Sequence, residues 1–524
     1  MRASGEDRRI WIFDTTLRDG GQTMGIDFSC SDKRELSRAL DEFGVDYIEA
    51  GWPGANPTDD AFFADPPELG SAKLVAFGMT RRKGVSAKED GVLQSVIKGK
   101  SHAVCLFGKT WDFHVQEALK VSLEENLNMI RESIAAVREE GKEAMFDCEH
   151  FFDGFKANPT YAVACARAAW EAGASWVVLC DTNGGSMPEE VYQIVLQVKE
   201  EVEGVRLGIH CHNDCGLAVA NSLAAVAGGA RQVQGTINGI GERCGNADLV
   251  TVMANLMLKF DFETGVERSR MKELRKISRL LDERLSREPS RQAPYVGVAA
   301  FAHKGGVHAS AAEKDPRTYE HVSPELVGNE RIFVVSNQAG RASMMARLRE
   351  LGIEVEAGSK VVDVLIKEVK DKEFRGWTFD TAEASFEVLA RKRLGLLPEL
   401  FDLLSYRLHE SREEEGESLV SVSVALLVAG ERRSASGCGR DSLLALEKAM
   451  LEALRQDFAL LLEGLCVTDV RVRLRQQGGG KEEEVRVSLC CHGRRGPSRT
   501  IGVSHNSSSA FLAALEDAIK WQLL

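Results

Sequence analysis

The chain has 524 residues, of which 44% are apolar and 28% are charged, and its formal net charge is −13. This length exceeds that of one ordinary hydrophobic core and predicts two or three domains. No apolar run reaches the roughly 18 residues that a membrane span requires, and the negative charge argues against nucleic acid as a partner. We therefore expect a soluble globular protein with no nucleic-acid partner and no membrane partner.

The cysteines and the beginning of the chain bear on the compartment. The twelve cysteines follow no framework spacing, which favours a reducing compartment over a disulfide scaffold. Met1 to Arg9 contain neither the apolar segment of a secretory signal nor an Arg/Ser-rich transit segment. The sequence predicts a cytoplasmic enzyme.

Residues 10 to about 260 alternate apolar runs typical of strands with amphipathic runs typical of helices. The strand-like runs are 10–15, 47–51, 74–78, 103–107, 144–148, 176–180, 207–212 and 233–237. The helical runs include 31–43, 122–140, 159–172, 188–202, 217–227 and 247–258. Eight strands, most of them followed by a helix, are the number for a (β/α)8 TIM barrel of about 250 residues, whereas an open doubly wound sheet usually has fewer. We predict the α/β class, with a catalytic TIM barrel over residues 8–265.

Polar residues stand where six of the predicted strands end. The segments are 14–22, 49–53, 147–150, 181–185, 210–214 and 238–246. In a barrel of this kind the chemistry takes place at the C-terminal ends of the strands. Each segment alone could be a turn, because Asp, Asn, Thr and Gly are common turn residues. Six such strand ends in one barrel predict a functional site.

The seventh strand-like run ends in two histidines separated by one residue. Side chains two residues apart on a strand point to the same face, so His210 and His212 can converge on one point. Imidazole pairs bind divalent metals, and Asp14 or Asp19 on the first strand could add a carboxylate. Asn246 can add an amide oxygen. Such a mixed nitrogen and oxygen ligand set suits Mg, Mn or Zn used as a Lewis acid on a carbonyl.

Three further residues indicate how a substrate would be activated at this metal. Arg18 stands beside Asp19 and would neutralise negative charge that develops on oxygen. Glu149 is a plausible proton acceptor or a member of an acid/base relay, and Thr182 could hydrogen-bond a substrate carboxylate. Together these residues fit the activation of a 2-oxo acid toward attack by a carbanion.

The chain changes character after the barrel. Helical patterns at 271–285, 339–351 and 360–372 follow one another without strands, and we expect helical linker subdomains over residues 266–407. The acidic run 410–417 predicts a solvated linker.

Residues 418–524 repeat themselves. The segment 434–447 is echoed by 500–513, and each copy has the pattern of a strand, a small polar turn and an amphipathic helix. Three glycines at 478–480 predict a hairpin. We expect an α+β domain with internal duplication. It holds no recognisable catalytic set of residues, so effector binding or dimer contact suits it better than chemistry.

Three motifs carry a family resemblance: DTTLRDGGQ at 14–22, HCHND at 210–214 and NGIGERCGN at 238–246. They resemble the acyl-transferring Claisen condensation enzymes, which comprise the 2-isopropylmalate, homocitrate and citramalate synthases and are related to the hydroxymethylglutaryl-CoA lyases. The resemblance covers nearly the whole chain, including the duplicated domain, which looks like the family's allosteric domain. It implies an acyltransferase that uses acetyl-CoA.

Four further segments look most like the citramalate synthase branch, which condenses acetyl-CoA with pyruvate in isoleucine biosynthesis. They are 49–57, 107–112, 149–154 and 326–330. A synthase for another 2-oxo acid and a lyase that runs the reverse cleavage remain alternatives. The duplicated domain disfavours the lyase, because lyases resemble the barrel alone. A non-catalytic relative would be expected to have lost at least one of Arg18, Asp19, His210 and His212, and all four are present.

The resemblance also implies a set of ligands for the metal. By the motifs, Asp19, His210 and His212 hold the metal, with Asn246 at or near it. Asp14 is implied to be a structural acid at the end of the barrel. This choice between the two aspartates comes from the resemblance alone.

Residue roles and assembly follow from the same resemblance. Arg18 would stabilise the enolate and the alkoxide, Glu149 would sit near the keto acid, Thr182 would bind its carboxylate and Gln22 would orient the residues around the metal. His308 matches the family's catalytic histidine, which a second subunit contributes in a domain-swapped homodimer. Two residues after it, Ser310 stands where some members have an acid. Isoleucine is the implied feedback effector.

Overall fold

The computed structural model describes residues 8–336, 340–356, 358–411, 419–476 and 483–524. The predicted helix start at 339, most of the acidic run 410–417 and the predicted hairpin at 478–480 lie outside these residues. The chain divides into two compact units. The first runs to Phe301 and includes Val322–Glu330, and the second consists of Ala302–His321 and the chain from Arg331 to Leu524.

Eight parallel strands form a closed barrel in the first unit, and the eighth strand pairs with the first. The strands are β1 (Trp11–Asp14), β2 (Tyr47–Gly51), β3 (Lys73–Met79), β4 (Ala103–Lys109), β5 (Glu143–Glu149), β6 (Trp176–Asp181), β7 (Leu207–Cys211) and β8 (Gln232–Gly235). Each predicted strand overlaps an observed one. The predicted fold class, an α/β barrel, is confirmed.

Helices follow the strands and cover the outside of the barrel. They are α1 (Cys30–Phe43), α2 (Pro57–Ala64), α3 (Gly91–Lys98), α4 (Asp112–His114), α5 (Leu123–Glu139), α6 (Phe151–Ala157), α7 (Pro159–Glu171), α8 (Pro188–Glu201), α9 (Ala218–Gly228), α10 (Leu249–Leu258) and α11 (Leu274–Arg284). Helix α1 shows why they begin and end where they do. Ser29 and Asp32 form a reciprocal capping box at its start, and Gly44 ends it with a φ of 108°, a left-handed conformation that favours glycine.

The barrel interior forms its own apolar cluster. Phe13, Tyr47, Met145, Trp176 and Val178 are among its buried members. Alternate residues along a barrel strand face inward, so the next inward position along each of these strands lies nearer the mouth. On β2 and β5, and directly after β1, those positions carry the polar side chains of Glu49, Asp147 and Thr15, whereas on β6 Cys180 continues the apolar cluster.

The second unit begins with short elements and helices. They are β9 (Ala302–His303), α12 (Gly306–Lys314), β10 (Ile332–Phe333), α13 (Arg341–Glu350), α14 (Lys360–Phe374) and α15 (Glu383–Arg393). The sequence predicts helices without strands here, whereas β9 and β10 form a two-residue parallel pair. Strands this short leave no alternating pattern that could be read from the sequence.

Two similar three-stranded antiparallel sheets, each followed by a helix, complete the second unit. The first repeat is β11 (Asp402–Ser411), β12 (Leu419–Val428), β13 (Glu431–Gly439) and α16 (Ser442–Phe458). The second is β14 (Cys466–Gln476), β15 (Glu483–Gly493), β16 (Gly496–Ser504) and α17 (Ser507–Gln522). One apolar core joins both repeats. Strand β11 begins ahead of residue 418, where the sequence analysis starts this domain.

The two repeats share a close contact between strand and helix. A Cβ atom at Gly437 would clash with the carbonyl oxygen of Ala445, and one at Gly502 would clash with that of Ala510. Each glycine therefore lets its helix lie directly on the preceding strand. Within the part of the chain that the structure describes, every helix is too short or too polar to cross a lipid bilayer.

Candidate metal centre at the barrel mouth

Asp19, His210 and His212 form a buried group at the ends of β1 and β7. His210 Nε2 lies 3.2 Å from Asp19 Oδ2, and His212 Nε2 lies 4.0 Å from the same oxygen. One ligand atom from each residue lies within 4.8 Å of the others. Among the described residues this is the one group of three or more acidic, histidine or cysteine side chains with such spacing. Two imidazoles and a carboxylate are a donor set for a divalent metal with open positions.

The turn after β1 carries Asp19 toward the end of β7. The backbone amide of Asp19 donates to the carbonyl of Thr15 at 2.9 Å, which closes a tight turn. The Thr23 hydroxyl then bonds to both backbone groups of Gly241 in the loop after β8. This loop also pairs with β7, because His212 and Asn246 form an antiparallel bridge. The loops after β1 and β8 thus bring ligands that are far apart in sequence to one place.

Unpartnered polar atoms in this group fit a bound cation. Asp19 Oδ1, His212 Nδ1 and Asn246 Oδ1 are buried and have no hydrogen-bond partner among the described residues. The Asn246 amide nitrogen donates to the carbonyl of Ile240 at 3.3 Å, which leaves its oxygen free. Buried polar atoms without partners are costly, and a cation would satisfy the oxygens. The residues present therefore fit a divalent metal.

Arg18 lies between two carboxylates. Its Nη1 is 3.4 Å from Asp19 Oδ2, and its Nε is 2.6 Å from Glu49 Oε2. The guanidinium carbon also lies 3.7 Å from the centre of the Phe77 ring. Burial opposes the charge, but Glu49 and Asp19 raise the pKa of Arg18 above its usual value. A permanent cation is therefore held beside the predicted metal ligands.

Glu49 belongs to the predicted polar end of β2, but no individual role was predicted for it from the sequence. It is fully buried, and besides Arg18 it accepts a hydrogen bond from the Thr15 hydroxyl at 2.6 Å. An acidic residue in an otherwise apolar strand was the available signal, since buried carboxylates need partners.

The ionisation states of Asp19 and His212 suit metal binding, whereas the hydrogen bond to Asp19 raises the pKa of His210. Burial would raise the pKa of Asp19, but Arg18 and His210 hold it well below its usual range. Burial, with the charge of His210, lowers the pKa of His212 to about 4. At neutral pH the group thus offers an ionised carboxylate and a neutral His212 imidazole, which is the form that binds metals.

His210 is held from behind by a hydrogen-bonded chain inside the barrel. Its Nδ1 lies 2.8 Å from Gln234 Oε1 on β8. The Gln234 amide nitrogen donates to Asp147 Oδ1 on β5 at 3.0 Å, and the Cys105 thiol donates to the same oxygen at 3.1 Å. Gln234 and Asp147 are both buried. Neither residue was predicted from the sequence to have a role at the metal.

A second polar group stands at the ends of β5 and β6. Glu149 Oε2 lies 2.5 Å from the ammonium of Lys109. The backbone N–H of His150 donates to the Thr182 hydroxyl oxygen at 2.8 Å. His150 reaches this position with a φ of 56°, a left-handed conformation rare for residues other than glycine. Because the Thr182 oxygen is engaged as an acceptor, its proton is available to a ligand.

The remaining predicted residues lie apart from this group or take other roles. Gln22 follows Asp19 in a 3-10 turn, and its side chain is exposed. Asp14 accepts hydrogen bonds from the amide and hydroxyl of Thr16 and does not belong to the group around His210. His308 belongs to the second unit, where it is exposed and its ring lies 4.3 Å from that of Tyr319.

Comparisons with protein families cover almost the whole chain. Residues 9–280 match the model described as HMGL-like. Residues 295–374 match the model for the homocitrate synthase post-HMGL domain-like family, and residues 380–523 match the LeuA allosteric (dimerisation) domain.

Several relatives that match over nearly their whole length are (R)-citramalate synthases. The (R)-citramalate synthase of Aquifex aeolicus is 44% identical over 98% of this chain and 98% of its own. That of Geobacter sulfurreducens is 42% identical over 98% of this chain and 97% of its own. A probable 2-isopropylmalate synthase of Methanopyrus kandleri is 36% identical over 86% of both chains.

Proposed function

Since the chain belongs to the HMGL-like family and, within it, to the family of the (R)-citramalate synthases, we propose that it condenses acetyl-CoA with pyruvate. The products are citramalate and CoA, and isoleucine biosynthesis is the proposed context. The observation that carries this proposal is the Asp19, His210 and His212 group with Arg18 against it. It offers a metal-binding site and a fixed positive charge at the place where a keto oxygen would become negative.

The residues around the metal support its role. A divalent metal held by Asp19, His210 and His212, with Asn246 beside them, would supply Lewis-acid polarisation of the keto group. Mg, Mn and Zn all suit this donor set.

The chain's own residues bind the 2-oxo acid and carry its charges. Arg18 stabilises the negative oxygen that forms during carbon–carbon bond formation. The hydroxyl proton of Thr182 donates to the substrate carboxylate. Glu149 acts as a proton acceptor or as a member of an acid/base relay.

His308 completes the site from a second copy of the chain in a homodimer. A test is to mix an Asp19→Asn variant with a His308→Ala variant, each inactive alone, under conditions that exchange subunits. If His308 acts across the dimer, mixed dimers regain one working site. If it acts within its own chain, mixing restores no activity.

The remaining parts of the chain serve assembly and control. We assign catalysis to residues 8–265, connection to the helical subdomains over 266–407, and isoleucine binding and dimer contact to 418–524. All twelve cysteines are free thiols, which suits the cytoplasm. Isoleucine that binds the full-length protein in calorimetry and slows the reaction would support the effector role, with leucine as the control ligand.

CoA release tests the reaction directly. Purified protein is given acetyl-CoA with pyruvate, 2-oxobutyrate, 2-oxoisovalerate or 2-oxoglutarate, with and without EDTA. The proposal expects the highest rate with pyruvate and loss of activity on chelation. A preference for 2-oxoisovalerate or 2-oxoglutarate would move the chain to the reaction of a 2-isopropylmalate or homocitrate synthase. No release with any acid after metal is restored would overturn the synthase and favour a lyase.

A further inference from the structure

A chain of hydrogen bonds from His210 through Gln234 to Asp147 links three strands of the barrel interior. His210 is on β7, Gln234 on β8 and Asp147 on β5. Each link is a hydrogen bond of ordinary length, 2.8 Å between His210 and Gln234 and 3.0 Å between Gln234 and Asp147. All three side chains are buried, so water does not compete for these bonds.

The order of donors and acceptors along this chain is fixed from its far end. Asp147 Oδ1 accepts hydrogen bonds from the NH2 group of Gln234 and from the Cys105 thiol, so the amide nitrogen of Gln234 faces Asp147. The carbonyl oxygen of Gln234 then faces His210 and accepts a hydrogen bond from its Nδ1–H. A metal at the site would replace the proton that Nε2 shares with Asp19, and His210 would keep its other proton on Nδ1.

We propose that Asp147, acting through Gln234, holds His210 in the tautomer that binds the metal. Both are positioning residues, because neither belongs to the group of ligand atoms itself. The inference rests on the proposed metal site and is independent of which 2-oxo acid is the substrate. Partners that orient a metal-bound histidine typically change metal affinity about 10–100-fold when removed.

A purely structural role for Gln234 is the competing explanation, and the chain offers a matched control. Gln232 stands two residues earlier on β8, is also fully buried and faces the same side of the strand. Its amide nitrogen contacts only the sulfur of Met145, at 3.8 Å, among the described residues. Gln234→Met and Gln232→Met therefore make the same change in volume and polarity. Only Gln234→Met also removes the hydrogen bond to His210.

The first experiment measures metal affinity in the full-length protein by competition with a chromogenic chelator, using Zn²⁺ and Mn²⁺. The proposal expects Gln234→Met to weaken binding about 10–100-fold and Gln232→Met to leave it within about threefold. Co²⁺ absorption gives a second readout, since it reports the ligand set without turnover. Equal affinities in the two variants would overturn the proposal.

Exchanging the carboxylate and the amide between positions 147 and 234 tests the order of donors and acceptors in this chain of hydrogen bonds. Asp147→Asn alone lets the Gln234 amide turn over and offer NH2 to His210, which disfavours the binding tautomer. Gln234→Glu alone places two carboxylates side by side. In the double variant, the new amide at position 147 donates to a carboxylate at position 234, which again accepts from His210, and the net charge is unchanged. Both single variants are expected to weaken metal binding, and the double variant to recover most of the loss.

Three outcomes distinguish a failure of this inference from a failure of the proposed metal site. Recovery in the double variant supports the relay, because a packing role would make the losses add. A double variant that is folded by circular dichroism but binds no better than the singles overturns the relay. If the wild-type protein binds none of these metals, the metal site itself is wrong.

Discussion

The Nε atom of Arg18 lies 2.6 Å from a carboxylate oxygen of Glu49, and the Glu49 side chain is fully buried. This bond joins the turn after β1 to strand β2 and fixes the plane of the guanidinium above Phe77. The remaining guanidinium edge faces Asp19. The positive charge that we assign to catalysis is thus oriented before any substrate arrives.

Glu49→Gln is expected to lower kcat about 10–100-fold, because a partly unpaired guanidinium loses its fixed orientation. Steady-state CoA release measures the effect. Glu143→Gln is the control, since Glu143 also forms a 2.6 Å ion pair, with Lys73, but at the opposite end of the barrel. It should leave kcat unchanged. Wild-type kcat in folded Glu49→Gln protein would contradict the orienting role.

Thr182→Val should raise the KM for the 2-oxo acid about tenfold or more, because the hydroxyl that donates to the carboxylate is lost. The KM for acetyl-CoA should change little. Thr182→Ser keeps both the donor and the acceptor for the His150 amide and should restore the wild-type KM. A valine variant that changes only the KM for acetyl-CoA would assign Thr182 to the other substrate.

Chelation should lower the melting temperature and abolish activity, and added metal should reverse both. A ligand at about 1,000 times its Kd stabilises the folded state by about 4 kcal/mol, so the shift should be several degrees. Asp19→Asn should remove the response. His505→Ala, which changes an exposed histidine of the second unit, should keep it. The same EDTA shift in the Asp19 variant would place the metal elsewhere.

Asp14 makes the stability of the barrel depend on pH. Burial raises its pKa from 3.8 to about 7, so between these values the folded state binds more protons than the unfolded state. Stability therefore falls as pH rises from about 4 to 7, by about 4 kcal/mol. Asp14→Asn removes this dependence.

Thermal unfolding of the wild type and of Asp14→Asn at several pH values tests the raised pKa of Asp14. The difference in melting temperature, Asn variant minus wild type, should be larger at pH 8 than at pH 5. A lost hydrogen bond to Thr16 would lower the melting temperature of the variant at both pH values and leave this trend unchanged. Metal affinity should be retained, since Asp14 is not a proposed ligand. Parallel melting curves across this pH range would contradict the raised pKa.

Gly502→Ala should destabilise the C-terminal repeats by about 2 kcal/mol or more, because its Cβ would meet the carbonyl of Ala510. Gly437→Ala should act in the same direction through Ala445. Gly439→Ala is a milder control, since its Cβ would lie 3.2 Å from the Ala445 nitrogen, a tight contact that a small shift relieves. The midpoint of thermal unfolding measures all three. A Gly502 variant as stable as the control would mean that strand and helix separate readily.

The sequence predicted what local periodicity determines. Eight apolar runs with polar ends were sufficient for the barrel, and the position of His210 and His212 on one face followed from strand geometry. The partners of these residues were not predictable in the same way. Glu49 meets Arg18, and Gln234 meets Asp147, through contacts between strands whose lateral positions no local pattern records.

Barrel closure has a consequence for biosynthesis. Asp19 is made early, but its histidine partners are almost 200 residues away, and β8 must pair with β1 before the loop after β1 reaches them. A nascent chain that ends before His210 therefore contains no complete ligand set. The complete ligand set is assembled in the closed ring of strands, so a metal that binds there would stabilise chains that have finished folding this unit over unfinished ones.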